Sequence, residues 1–360
     1  MKAAVLHEAG APLVIEEVGV KKPGPREVLV RTAYAGLCHS DLHFMEGLYA
    51  HPLPAVLGHE AAGVVEQVGE DVTYLAPGDH VISCLSVFCG TCEYCNSGRP
   101  ALCNDAEVKL RPGVSERMEW EKEARLHQFL NLSAFAELML VHENALVKVR
   151  KDMPLDRAAL IGCGVITGYG AAVNTAGVRP GDTVAVIGCG GVGMAAVNGA
   201  YIAGAERVIA IDTNPAKLQA AAHLGATEGV LADGDVVKQV RQLTRGGVHH
   251  AIECLGLKST VEDAFDMLRP GGTATVVGMV PFGQKVEVHG FDLLMEKKLQ
   301  GSTMGSNRFR TEMPRLVELY LQGRLKLDDW VSARRPLGEI NAGFEAMKRG
   351  EVLRSVIEFA

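Results

Sequence analysis

Two sets of potential metal ligands differ in their spacing. Cys89, Cys92, Cys95 and Cys103 lie within fifteen residues, in the pattern C-x2-C-x2-C-x7-C. Cys38, His59 and Cys163 are scattered along the first half of the chain. Thiolates are soft ligands that suit zinc or iron–sulfur chemistry. A compact all-sulfur set has the makeup of a closed, structural zinc site. A dispersed Cys/His/Cys set has that of a catalytic zinc, with three protein ligands and an open fourth position. The compact set has two other uses, an iron–sulfur cluster or, in a secreted protein, a disulfide knot. Met1 is followed by Lys2-Ala3-Ala4-Val5-Leu6 and then charge, with no signal-peptide core, so structural zinc is the expectation.

A third constellation is Gly188-Cys189-Gly190-Gly191-Val192-Gly193, a G-x-G-x-x-G pattern. It follows a predicted strand and opens a predicted helix, the context in which such glycines bind a dinucleotide. There they permit a tight turn and let backbone N–H groups approach a pyrophosphate at the helix N-terminus. Asp212 ends the next strand, nineteen residues after Gly193. A carboxylate at that point accepts hydrogen bonds from ribose hydroxyls and repels a 2′-phosphate. Thr213-Asn214-Pro215 follows it without an arginine, which predicts NAD rather than NADP.

The elements that must carry these residues change character along the chain. Residues 1–164 are rich in strands and loops, with strands predicted at Glu27–Thr32, Gly63–Val68 and His80–Ile82. From 165 to 303, short apolar strands alternate with helices: Thr183–Ile187, a helix from Gly191, Val208–Ile211, Ala251–Cys254 and Thr273–Val277. That alternation predicts a doubly wound parallel sheet of Rossmann type. Residues 304–360 carry an amphipathic helix near Pro314–Gln322 and a strand at Ser355–Phe359, and are expected to return to the first domain. The run Glu116–Glu123 is charge-dense and reads as a solvated loop or helix face.

Composition agrees with a two-domain α/β protein of 360 residues, 48% hydrophobic and 22% charged. Nine cysteines without a leader predict a reducing compartment, the cytoplasm. The net charge of −7 and the absence of a basic stripe argue against nucleic acid as a partner. No apolar run reads as a membrane span, so no membrane partner is expected.

Taken in order, Gly36-Leu37-Cys38-His39-Ser40-Asp41, Gly58-His59-Glu60-Ala61-Ala62-Gly63, the four-cysteine lobe, Gly162-Cys163-Gly164, Thr167-Gly168-Tyr169-Gly170, the glycine fingerprint and Leu353-Arg354-Ser355-Val356 resemble a zinc-dependent medium-chain alcohol dehydrogenase from end to end. The resemblance implies a GroES-like β-rich catalytic domain beside the Rossmann domain. It implies two zinc ions per chain, the catalytic one on Cys38, His59 and Cys163, and NAD as hydride acceptor. Asp41 would orient His59, and Glu60 would act beside the ligands or as a transient one. Ser40 and His43 would relay the alcohol proton to solvent. His39, Lys217 and Arg354 would lie near the cofactor phosphates or ribose, and Thr167 would contact the nicotinamide. Family members pair through the sheet edges of their cofactor domains, which implies a homodimer or homotetramer.

By position, Tyr49, Leu85, Phe129, Leu130 and Met279 would line the substrate cleft. Large apolar residues there suit an aromatic or medium-chain alcohol, exchanged with its aldehyde or ketone. Glutathione-dependent formaldehyde dehydrogenases are an alternative; they hold a charged substrate with acids in the loop where this chain has Tyr49 and His51. Polyol dehydrogenases commonly place a carboxylate where this chain has Cys163. A zinc- and NAD-binding structural or redox-sensing protein is the non-enzyme alternative.

Overall fold

The computed structural model describes residues 1–109, 117–120 and 125–359. The chain divides into two compact units. One is Met1–Gly164 with Arg308–Gly323 and Leu327–Ala360; the other is Val165–Asn307 with Arg324–Lys326.

The first unit is organised by the strand Glu27–Gly36. Its valines and alanines favour a pleated, half-buried surface, and Val28, Val30 and Ala35 are fully buried. It pairs antiparallel with Ala61–Val68, Leu138–His142 and Arg354–Glu358. The sheet extends through His80–Ser83 to Leu146–Val149 on one side and to Val331–Pro336 on the other. Leu37, Leu57, Phe129, Phe135 and Ile357 share one apolar core beneath it. Each such side chain contributes about 1.5–3 kcal/mol when removed from water.

The second unit holds six parallel strands in the order Glu228–Leu231, Arg207–Asp212, Thr183–Ile187, Val248–Glu253, Leu268–Val276, Lys298–Gly301. Val184 to Ile187 is a continuous buried apolar run, as a strand covered on both faces requires. The strand order reverses between Thr183–Ile187 and Val248–Glu253, which makes the crevice at their carboxyl ends the place for a ligand. The helix Gly191–Ile202 supplies Ala195, Ala196, Gly199 and Ala200, small enough for close packing. A Cβ on Gly199 would lie 3.0 Å from the Tyr169 Cα, and one on Gly168 would strike the Val192 carbonyl.

Three expectations are corrected. The helical stretch Leu155–Ala176 is long and apolar enough to cross a membrane, although no such run was expected. It is a core helix, with 78% of its most apolar window buried inside the protein. Half of the charged run, Arg117–Trp120, lies among the described residues, and within it Glu119 alone is exposed. Arg117 is buried, donating to Glu27 at 2.6 Å and Gln128 at 3.0 Å, and Met118–Glu119 pairs with Gly19–Val20. The helix expected near Pro314 begins earlier and spans Phe309–Leu321 with Pro314 inside it.

Candidate functional site

Each expected ligand of the scattered set sits where its element starts or is interrupted. Cys38 caps the short helix His39–Met45. His59 precedes the strand Ala61–Val68, after Gly58 at φ +92°. Cys163 lies in a π-helical turn, Ile161–Val165, where the helix loses its regular register. The flanking glycines are required by close approach: a Cβ on Gly162 would meet the Ser83 carbonyl, and one on Gly164 the Arg354 guanidinium. The donor atoms of Cys38, His59 and Cys163 all lie within 4.8 Å of one another, fully inside the protein.

The imidazole of His59 is aimed by Asp41, whose Oδ1 is 2.9 Å from Nδ1. Asp41 also accepts from the backbone N–H of Gly58 at 3.2 Å and of Cys38 at 3.3 Å. One carboxylate thus ties together two ligand-bearing segments. Nε2 of His59 is buried without a hydrogen-bond partner, an orphan that a metal would satisfy. The hydrogen bond from Cys163 holds the Cys38 thiol well below its ordinary range, and the same bond together with burial pushes Cys163 up. Two thiolates and a neutral imidazole would neutralise a zinc ion and leave one position open. Asp41→Asn keeps the shape and loses the charge on Nδ1. It is expected to weaken zinc retention or turnover about 10–100-fold, read as zinc content after dialysis against a chelator and as rate; unchanged values would remove Asp41 from this role.

Glu60 is fully buried, with both carboxylate oxygens lacking a hydrogen bond, and burial pushes it up to about 7 against the opposing pull of Arg354. Arg354, expected near the cofactor, is buried; its guanidinium lies 3.8 Å from Glu60 and donates to the Leu37 carbonyl at 2.8 Å. Ser40 and His43 stand one turn apart on the helix after Cys38, and His39 at its start is exposed. Nδ1 of His43 is buried without a partner, and its ring lies 6.1 Å from that of Tyr49.

Tyr49 and Phe129 meet in one aromatic cluster. Phe44 lies 5.6 Å from Tyr49 and edge-on to Phe129 at 4.8 Å; Phe129 also contacts His51 at 5.2 Å and His59 at 6.0 Å. A cavity of about 120 Å³ opens among Phe44, Tyr49, His51, Leu53 and Leu57. Burial and the neighbouring His127 depress His51 to about 4, so it is neutral at pH 7. Leu130 adopts φ +48° in a turn closed by Ser133. Leu85 is half-buried against the first unit's core, and Met279 belongs to the other unit, 38% exposed. Sequence reasoning missed Phe44 as part of this cluster. Its place next to His43 was the only available signal, and only the fold turns it toward Phe129.

The compact set forms a second ion-sized group, with all four cysteines unpaired. Sγ–Sγ separations are 3.6 Å (Cys92–Cys95), 3.8 Å (Cys92–Cys103) and 3.9 Å (Cys89–Cys95). A tetrahedron of thiolates with Zn–S bonds of about 2.3 Å has edges of about 3.8 Å. Backbone N–H groups of Thr91 and Cys92 donate to Cys89 at 3.4 and 3.2 Å, as bonds to a thiolate should.

In the second unit, the three fingerprint glycines divide their tasks. Gly188 needs φ +89°, a Cβ on Gly193 would collide with the Gly188 carbonyl, and a Cβ on Gly190 would meet nothing within 4 Å. The open space above Gly190 is the cradle a pyrophosphate requires, at the start of the helix carrying Gly191, Val192 and Gly193. Asp212 is buried and oriented by the N–H groups of Cys189 at 2.8 Å and Asn214 at 2.9 Å. Lys217 lies 3.9 Å away. Thr167 is buried and donates to Met304.

Known proteins are similar to this chain in sequence and fold. Residues 24–151 match the alcohol dehydrogenase GroES-like domain, and residues 191–321 the zinc-binding dehydrogenase family. The S-(hydroxymethyl)glutathione dehydrogenase of Saccharomyces cerevisiae is 37% identical over 99% of this chain and 95% of its own. The solved structure of an alcohol dehydrogenase zinc-binding domain protein from Burkholderia ambifaria is similar at TM-score 0.95 and 39% identity, over 100% of this chain and 98% of that one. The benzyl alcohol dehydrogenase of Acinetobacter calcoaceticus is similar at TM-score 0.94 and 34% identity, over 100% and 99%.

Proposed function

Because the chain belongs to the zinc-dependent medium-chain alcohol dehydrogenases, a family of zinc- and nicotinamide-dependent oxidoreductases, we propose that it exchanges hydride reversibly between NAD and an aromatic or medium-chain primary or secondary alcohol. The aromatic cluster of Phe44, Tyr49 and Phe129, in contact with His43 and His59, carries the substrate reading. It offers ring edges and faces to an apolar substrate beside the metal ligands.

A zinc ion supplies Lewis acidity that lowers an alcohol's pKa, and a nicotinamide supplies the hydride acceptor. Cys38, His59 and Cys163 would hold the zinc, and Asp41 keeps the imidazole oriented. The alcohol proton passes to Ser40 and then to His43, whose helix reaches the exposed surface at His39. Gly188, Gly190 and Gly193 would shape the pyrophosphate cradle, and Asp212 with Lys217 would hold the adenosine ribose. The fixed carboxylate of Asp212 supports NAD over NADP, since it would repel a 2′-phosphate.

The edge strand Lys298–Gly301 pairs with Leu268–Val276 on one side alone among the described residues, and Phe291 and Leu294 nearby are 62% and 76% exposed. These features support a homodimer or homotetramer paired through that edge. Nine unpaired cysteines support a reducing, cytoplasmic setting.

Purified, zinc-replete protein is expected to form NADH from NAD with benzyl alcohol or hexanol, and to do so poorly with NADP. Turnover confined to formaldehyde with glutathione would replace this reading with the glutathione-adduct one. The neutral lining of the Tyr49–His51 cavity speaks against that outcome, since no carboxylate borders it among the described residues.

A further inference from the structure

The backbone turns left-handed at three successive residues, Met304, Gly305 and Ser306, with φ of +50°, +69° and +49°. Two of the three carry side chains, for which that conformation is costly, and it persists only where the surroundings impose it. Here they do. A Cβ on Gly305 would collide with the carbonyls of Ile166 and Thr167, so the turn lies directly on the helix Ile166–Gly170. Asn174 donates to the Gly305 carbonyl at 3.1 Å, and Thr175 bonds the hydroxyls of Ser302 and Ser306, each at 2.8 Å. Asn307 donates to the Met304 carbonyl at 2.8 Å.

The result is a fixed place for one side chain. The Met304 sulfur lies 3.4 Å from the Thr167 hydroxyl and accepts its hydrogen bond. A hydroxyl otherwise rotates to suit its surroundings, so an acceptor on one side decides where its lone pairs point. Thr167 adjoins Gly168, which abuts the Val192 carbonyl of the fingerprint, so the helix carrying Thr167 packs on the segment that forms the cofactor cradle.

We propose that Met304 is a positioning residue: its thioether orients the Thr167 hydroxyl at the nicotinamide end of the cofactor site. The proposal rests on the reading that Thr167 meets the nicotinamide. The test compares NADH with ADP-ribose, which lacks the nicotinamide, by calorimetric titration of the zinc-replete enzyme. Met304→Leu keeps the volume and removes the acceptor. It is expected to weaken NADH about 3- to 10-fold, the size of one modest hydrogen bond, and to leave ADP-ribose unchanged. Met304→Gln, which restores an acceptor, is expected to recover most of the loss. Adding Thr167→Val to Met304→Leu is expected to cost less than Thr167→Val alone, because the two act through one bond. Equal weakening of NADH and ADP-ribose, or no change in either, would overturn the proposal. If Thr167→Val by itself leaves NADH untouched, the reading of Thr167 fails. If that variant weakens NADH while Met304→Leu does not, Met304 alone is wrong.

Discussion

Cys163→Ala is expected to purify with one zinc per chain instead of two and to lose at least about a thousandfold in alcohol oxidation, the several kcal/mol that a Lewis-acid metal supplies. The argument is geometric. Three buried donors within 4.8 Å of one another are the fewest that make a catalytic zinc site, and no other metal-sized group containing Cys38 or His59 exists among the described residues. Alanine leaves two donors and a small void in a π-helical turn, so stability should fall modestly while metal retention collapses. NADH binding should survive, because the fingerprint and Asp212 belong to the other compact unit. The variant therefore separates metal from cofactor. Retention of two zinc ions, or turnover within tenfold of the parent, would show that Cys163 is not a ligand.

Cys92→Ser should act on the fold. Between Cys89 and Cys103 only Ala101 and Cys103 are buried, so the lobe has almost no apolar core of its own. In such a segment the metal replaces the hydrophobic contribution, and binding energy becomes folding energy. Removing the thiolate that lies 3.6 Å from Cys95 and 3.8 Å from Cys103 opens the tetrahedron. The melting temperature is expected to drop on the order of 10 °C, with the loss of one zinc and new proteolysis between residues 89 and 103. Turnover per remaining zinc at low temperature should stay near the parent value. An unchanged melting temperature with zinc lost would mean that the lobe is held by something other than its metal. The two cysteine variants thus lose the same stoichiometry for opposite reasons, one chemical and one structural.

Much of the α/β architecture was legible locally. The strand Thr183–Ile187 is legible to its ends, because a short run rich in β-branched residues, apolar after Thr183 and bounded by Gly181-Asp182 and Gly188, has few other uses. The glycine fingerprint was equally plain, since its spacing encodes a turn whose steric needs only glycine meets. Boundaries were less legible: Gly63–Val68 starts at Ala61 and Thr273–Val277 at Leu268, because strand ends are set by the partner strand's register rather than by the segment's own residues. The helix Leu155–Ala176 passes for a membrane span by composition, and its burial shows it to be core.

By itself, the sequence determined which chemistries were available. Four closely spaced cysteines and a glycine-rich turn before a helix are set by residue type and short spacing, which the backbone reads locally, whereas the Cys/His/Cys triplet is legible only as residue types far apart in the chain. Only the tertiary structure decided which side chains share a site. It joined Cys38, His59 and Cys163 across 125 residues, turned Arg354 onto Glu60, gathered Phe44 and His51 around Phe129, and set Met304 on Thr167. Those pairings depend on sheet register, on glycines that let helices approach, and on strained turns held by distant hydrogen bonds. No local window of sequence contains that information, because each partner's position is fixed by the packing of elements remote in the chain.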